Sequence, residues 1–295
     1  MKPVVVGVDG SATATAAAQW AAREAKLRHT PLTVLMASGF GDGGFGAKAH
    51  TPVAWRETKE TLAGQLLRTI RDDLAAAEPG VRITAEMSPA DPETALRHAS
   101  GDACLLVLGK PTGTLSGLLA GSPDLDLVAR AQCPVVVVRG QSREGGPVVV
   151  GVDGSPFSEA AIAQAFEEAS LHEVSLVALH TWLDGGASRL CGEERGDFPA
   201  AIREAERQVL VERLAGWRER YPDIPVERVV EQDRPRDRLL DRSADASLMV
   251  LGSRGRGGFT GMVLGSTSHA LLHHAACPVL VSRPHTTESR IAEAR

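Results

Sequence analysis

The stretch GSRGRGGFTGMVLGS, residues 252–266, is rich in glycine, carries two arginines and has no acidic side chain. Its spacing is Gly252, two residues, Gly255, nine residues, then Gly265-Ser266. Glycine tolerates positive φ and lets backbone approach a ligand closely. If Gly265-Ser266 opens a helix, the first amides of that helix lack partners and point outward. Such amides, together with the helix dipole, favour phosphate, and the Ser266 hydroxyl can donate to the same oxygens. A second candidate is GVDGS, which places Asp9 and Asp153 after an apolar run and before a helix-like stretch. In an open α/β sheet, ligands sit beyond the carboxyl ends of the strands, so both stretches lie where a site would form.

Two other phosphate motifs are excluded by spacing. A Walker loop needs G-x-x-x-x-G-K-[ST]. Gly109-Lys110 is followed by Pro111 and has Cys104 in the place of the first glycine. A dinucleotide fingerprint needs G-x-G-x-x-G after the first strand, and the first turn offers only Gly7 and Gly10. GFGDGGFG, residues 39–46, has no helix start behind it and reads as a surface lid. Each remaining candidate has a plainer alternative. Asp9 and Asp153 could serve only to start a helix. Arg254 and Arg256 are solvated loop arginines by default. His269 and His273, four apart on one helix face, lack the further ligands that a metal needs. There is no GxSxG, and no histidine neighbours either motif in sequence. No catalytic pair and no metal site is therefore assigned.

The elements that position these residues are written twice. PVVVGVDGS occurs at 3–11 and again, identical over nine positions, at 147–155. CPVVVVRG (133–140) is answered by CPVLVSRP (277–284), and LTVLMAS (32–38) by LVALHTW (176–182), all at an offset of 144 residues. DACLLVLG ending at Gly109 matches DASLMVLG ending at Gly252 at an offset of 143, so the first copy lacks one residue between Gly109 and Gly121. Units this long are domains rather than solenoid repeats. The expected domains are 1–140 and 146–284, joined by the polar, glycine-rich RGQSREGG. Val4–Val8, Leu32–Met36, Val81–Ala85, Leu105–Leu108 and Val135–Val138 read as buried strands because they lack polar alternation. Leu62, Leu66, Ile70 and Leu74 recur every fourth residue and define one face of a helix, as do Ile202, Val209, Leu210, Leu214 and Trp217 in the second copy. Ser155-Pro156 is a helix start. Alternating strands and helices with continuous apolar strands imply, for each half, a parallel sheet of about five strands covered on both faces.

The 295 residues are enough for two cores, and 43% apolar with 23% charged residues is ordinary for a globular chain. A net charge of −5 argues against nucleic acid as a partner. Apolar runs are too short to span a membrane, no signal region is evident, and four scattered cysteines do not make a disulfide scaffold. A cytoplasmic protein is expected, with Cys133 and Cys277 serving packing.

With VVVGVDGS at both starts, CPV before both final strands and G-x2-G-x9-G-S in the second half, residues 3–283 resemble the universal stress proteins, specifically their tandem-domain, ATP-binding branch. The resemblance implies two tandem open parallel five-stranded sheets flanked by helices, with strand order 3-2-1-4-5, packed as a pseudo-dimer and allowing a homodimer. It implies adenine nucleotide as ligand, namely ATP with or without Mg2+, bound with little or no turnover. In that scheme Asp153 contacts the adenosine part, Thr181 offers backbone groups to adenine, and Gly252, Gly255, Gly265 and Ser266 hold the phosphates. The matching positions of the first copy are Asp9, Ala37, Gly109, Gly121 and Ser122. There Thr112 stands where the second glycine belongs, Gly113 comes one residue late, and Pro111 removes an amide. The first site is therefore expected to be weak or lost. The alternatives are an adenylating or ATP-hydrolysing enzyme of related architecture, which would want a serine-glycine-glycine loop after strand one, and a scaffold without nucleotide binding.

Overall fold

Valine-rich runs that end in glycine or a polar residue make short buried strands, and the Asp-Gly-Ser turn that follows the first of them starts a helix. The structure, a computed structural model, describes residues 1–39, 53–110, 123–182, 200–232, 234–255 and 264–283. The chain divides into two units, Met1–Arg139 and Gly140–Arg295. In the first unit the order is β1 (Val4–Gly7), α1 (Ala12–Leu27), β2 (Leu32–Ala37), α2 (Val53–Ala77), β3 (Ile83–Ser88), α3 (Pro92–Ala99), β4 (Leu105–Gly109), α4 (Pro123–Arg130) and β5 (Val135–Val138). The second unit runs β6 (Val148–Val152), α5 (Pro156–Leu171), β7 (Leu176–Trp182), α6 (Ala200–Arg220), β8 (Val226–Gln232), α7 (Pro235–Ser243), β9 (Leu248–Gly252), α8 (Ser266–His274) and β10 (Val279–Ser282).

In the first unit the strands lie in the order β3-β2-β1-β4-β5, and in the second β8-β7-β6-β9-β10. This is the expected 3-2-1-4-5 arrangement in both. The first strand of each unit is the centre: Val4 pairs in parallel with Leu32 and Leu105, and Val148 with Leu176 and Leu248. Crossovers diverge on either side of that strand, so its carboxyl end faces the crevice at the switch point. Ser11 and Ser155 cap the helices that leave this crevice, their hydroxyls accepting the Ala14 and Ser158 amides at 3.2 and 3.3 Å. Pro156 occupies the first turn of α5 as expected.

Three expectations need correction. The third strand lies at Ile83–Ser88 rather than 81–85, because Gly80 (φ 101°) and Val81 close the turn after α2. That strand is also half exposed rather than buried, since it is an edge packed against α2 on one face. On α2 the buried residues are Leu67, Ile70 and Leu74, whereas Leu62 is 58% exposed and Leu66 38%. A strict four-residue spacing drifts about 40° per step around a helix of 3.6 residues per turn, so it leaves the core within two turns. The unit boundary falls inside RGQSREGG as expected, and residues 140–146 are held to the second unit. Gln141 donates to the Ala276 carbonyl at 2.9 Å, Ser142 to Ser247 at 2.9 Å, and Arg143 pairs with Asp245. Trp217 of α6 and Tyr221 directly after that helix stack on the fully buried Phe166 of α5 at ring separations of 6.1 and 5.7 Å, which fixes α6 over the sheet.

Candidate functional site

In the second unit three segments meet beyond the carboxyl ends of β6 and β9. The turn after β6 carries Asp153, half buried, and Gly154 at φ 75°, a conformation that favours glycine. One Asp153 oxygen, Oδ1, accepts the Ser155 amide at 2.9 Å, so the carboxylate does start the helix, as the plainer reading held. Its other oxygen faces the glycine loop: a Cβ on Gly255 would lie 2.7 Å from Asp153 Oδ2. Any side chain at 255 would therefore push against that carboxylate. The loop returns on itself, with the Gly265 amide donating to the Ser253 carbonyl at 3.0 Å.

Gly265 stands at the N-cap of α8, and no side chain caps that terminus. Ser266, the first helical residue, is exposed. Ser268 turns inward instead, its hydroxyl donating to the Gly252 carbonyl at 2.8 Å. Gly265 itself has φ −68°, and an added Cβ would meet nothing closer than 3.8 Å. Glycine there is not required by the backbone; it keeps the space in front of the α8 amides open. Gly252 is different. A Cβ on it would lie 2.9 Å from the Phe157 carbonyl in the first turn of α5, so this glycine lets strand and helix approach. Arg254 lies with its guanidinium 4.5 Å from the centre of the Phe157 ring, where an apolar face partly covers it. Arg256 lies outside the described residues.

Thr181, half buried near the end of β7, sits beside Glu231 of β8 in register. Its neighbour His180 was missed by sequence reasoning, which found no histidine beside either motif. The His180 ring is 1% exposed, with Nδ1 2.7 Å from the Val152 carbonyl and Nε2 2.9 Å from Glu206 Oε2 of α6. Strand pairing brings it next to the Asp153 turn across 28 residues of sequence. A polar residue inside the otherwise apolar LVALHTW was the available signal. At the same turn Arg213 of α6 donates to the Gly154 carbonyl at 3.4 Å and pairs with Glu159 at 2.8 Å.

The first unit repeats the frame. Asp9 Oδ1 accepts the Ser11 amide at 2.9 Å, Gly10 has φ 85°, and Ala37 ends β2. A Cβ on Gly109 would lie 2.7 Å from the Thr13 carbonyl, the counterpart of the Gly252 contact. Against Gly10 stands the Leu66 side chain. Gly121 and Ser122, with Pro111, Thr112 and Gly113, lie outside the described residues. Elsewhere, the His269 and His273 rings are 4.7 Å apart on α8. Among the described residues no third His, Cys, Asp or Glu joins them in a metal-ligating group. Cys133 and Cys277 are buried. No described helix is long and apolar enough to cross a membrane.

This doubled frame has known relatives. A profile of the universal stress protein family matches residues 1–139 and again residues 146–283. The chain belongs to the universal stress protein family. As a tandem member of that family it is similar to universal stress protein Rv2005c of Mycobacterium tuberculosis, 43% identical over 289 residues that cover 95% of this chain and 96% of that one. Universal stress protein Rv2623 of the same organism is 40% identical over 294 residues, covering 96% and 97%. Among solved structures, a universal stress protein from Archaeoglobus fulgidus shares the fold with a TM-score of 0.70, covering 97% of both chains at 18% identity.

Proposed function

We propose that this universal stress protein is a stress-response regulator that binds one molecule of ATP in its second unit, with little or no turnover. The observation that carries the reading is the meeting of the Asp153 carboxylate, Gly255 and the side-chain-free N-terminus of α8 at one crevice. Helix amides left without a side-chain cap are a ready anion site. In this reading Gly265 and Ser266 receive phosphate oxygens, and Gly252 holds the loop against α5. Gly255 keeps the loop close to Asp153. Asp153 and the Thr181 backbone take the adenosine part. Mg2+ would enter with the triphosphate as its counter-ion. The adenylating alternative lacks support from the residues: the strand-one turn has no serine-glycine-glycine loop.

Calorimetric titration of the full chain with ATP tests the reading. One site per chain is expected. The absence of any heat or competition with adenine nucleotides would discard it, and two equal sites would show that the first loop works despite its altered spacing.

A further inference from the structure

His180 is surrounded so that the position of one proton follows from its partners. The Val152 carbonyl can only accept, so Nδ1 must carry a hydrogen. Nε2 then faces Glu206 Oε2 at 2.9 Å. Two lone pairs cannot share that distance favourably, so a second proton lies between ring and carboxylate. Written as imidazolium with carboxylate or as imidazole with carboxylic acid, the couple holds one proton more than neutral histidine beside ionised glutamate. The ring is buried, and it joins α6 to the last residue of β6, directly before Asp153. In the first unit the matching residue is Met36, which can make neither bond.

We propose that His180 and Glu206 are positioning residues that fix the Val152–Asp153 turn, so that adenine-nucleotide affinity in the second unit depends on the tie they make between α6 and β6. This rests on the function proposed above and adds two positioning residues to the same site. Arg213 and Glu159, from α6 and α5, pair with each other. Arg228 shares the face of β8 that carries Val230, the in-register partner of His180. Glu231 alternates to the opposite face, where Arg238 and Arg242 of α7 hold it at 3.2 and 3.4 Å. Asp153 follows Val152 and is engaged by the Ser155 amide.

The test uses the full-length protein, with ATP affinity measured by calorimetry. Glu206→Gln donates an amide hydrogen to neutral Nε2, so the tie between α6 and the Val152 carbonyl is kept and wild-type affinity is expected. Glu206→Ala, which leaves Nε2 without its carboxylate, should lose about tenfold with an unchanged circular dichroism spectrum, the cost of one hydrogen bond to a charged group. A folded Glu206→Ala protein with wild-type affinity, or a Glu206→Gln protein as weak as Glu206→Ala, would overturn the proposal. Wild type that binds no adenine nucleotide would instead remove the function on which the proposal rests.

Discussion

The two units have the same strand order, the same central pairings and the same Asp-Gly-Ser turn, yet they line that turn with different chemistry. Gly10 faces the Leu66 side chain, whereas the Gly154 carbonyl receives Arg213. Met36 stands where His180 reaches Glu206, and Thr13 where Phe157 carries Arg254. By contrast, Gly109 and Gly252 both press against the first turn of the helix that follows the first strand of their unit, α1 and α5. A shared motif therefore mixes two kinds of residue. Some of its glycines hold strand to helix and must stay wherever the fold stays. The rest leave open space, which the proposed function assigns to a ligand in the second unit.

The sharpest way to break this comparison is Gly265→Val. The backbone accepts it, since φ is −68° and the nearest atoms to a Cβ are 3.8 Å away, but the branched side chain covers the α8 amides. A loss of about a hundredfold in ATP affinity is expected with the melting temperature unchanged, from the forfeited charge-assisted bonds. Calorimetry and a thermal melt check it together. Unaltered affinity in the folded variant would remove the α8 terminus from the site.

Next in size is the contrast between the two aspartates. Asp153→Ala should weaken ATP by about tenfold or more, and Asp9→Ala by less than about twofold, because in the proposed function only the second carboxylate contacts the nucleotide. The reverse ranking in calorimetric titrations would make the first unit the binding one. The packing glycines should behave the other way, treating the units alike. Gly109→Ala and Gly252→Ala each drive a Cβ to within 2.7 and 2.9 Å of a helix carbonyl. Each should destabilise its unit by roughly 1–3 kcal/mol in denaturant titrations, as overpacking does. A stable Gly252→Ala protein would show that this glycine is kept for the ligand rather than for the fold.

The smallest effect concerns a cap that the units do not share. Asp91 accepts the Thr94 amide at 3.0 Å at the start of α3, while Arg234, its counterpart before α7, makes no side-chain cap bond. Bonding from the Thr94 backbone, and then from its side chain, holds the Asp91 carboxyl below its ordinary value. A lowered folded value means that the ionised cap stabilises above the ordinary carboxylate range and that this contribution disappears as acid takes pH down through the lowered value. Asp91→Ala should cost about 1 kcal/mol at neutral pH and nothing in strong acid. Arg234→Asp should add somewhat less to the second unit, read from the same denaturant titrations across pH.

The repeat, the alternation of strands and helices and the placing of both motifs at strand ends were legible in the residues, because a buried parallel strand must be continuously apolar and a capped helix start has few alternatives. VVVGVDGS at 3 and 147 and the pair Gly265-Ser266 sufficed for that. The strand order came only with the family resemblance. The half-exposed β3 was less legible, since an apolar run does not say whether a helix covers one face or two. Leu62 and Leu66 were misplaced because a spacing of four residues is not the period of a helix.

What sequence alone determined here is the frame: local patterns of burial, capping and left-handed glycine repeat wherever their short segments repeat. Which glycine packs and which leaves room depended on atoms from distant segments. Gly252 meets Phe157, Gly255 meets Asp153 and Gly265 meets little, although all three are the same letter in one motif. The same is true of His180, whose meaning came from a carbonyl on β6 and a carboxylate on α6. Hydrogen bonds and steric contacts act over a few ångströms in space, and only the folded chain decides which residues come that close.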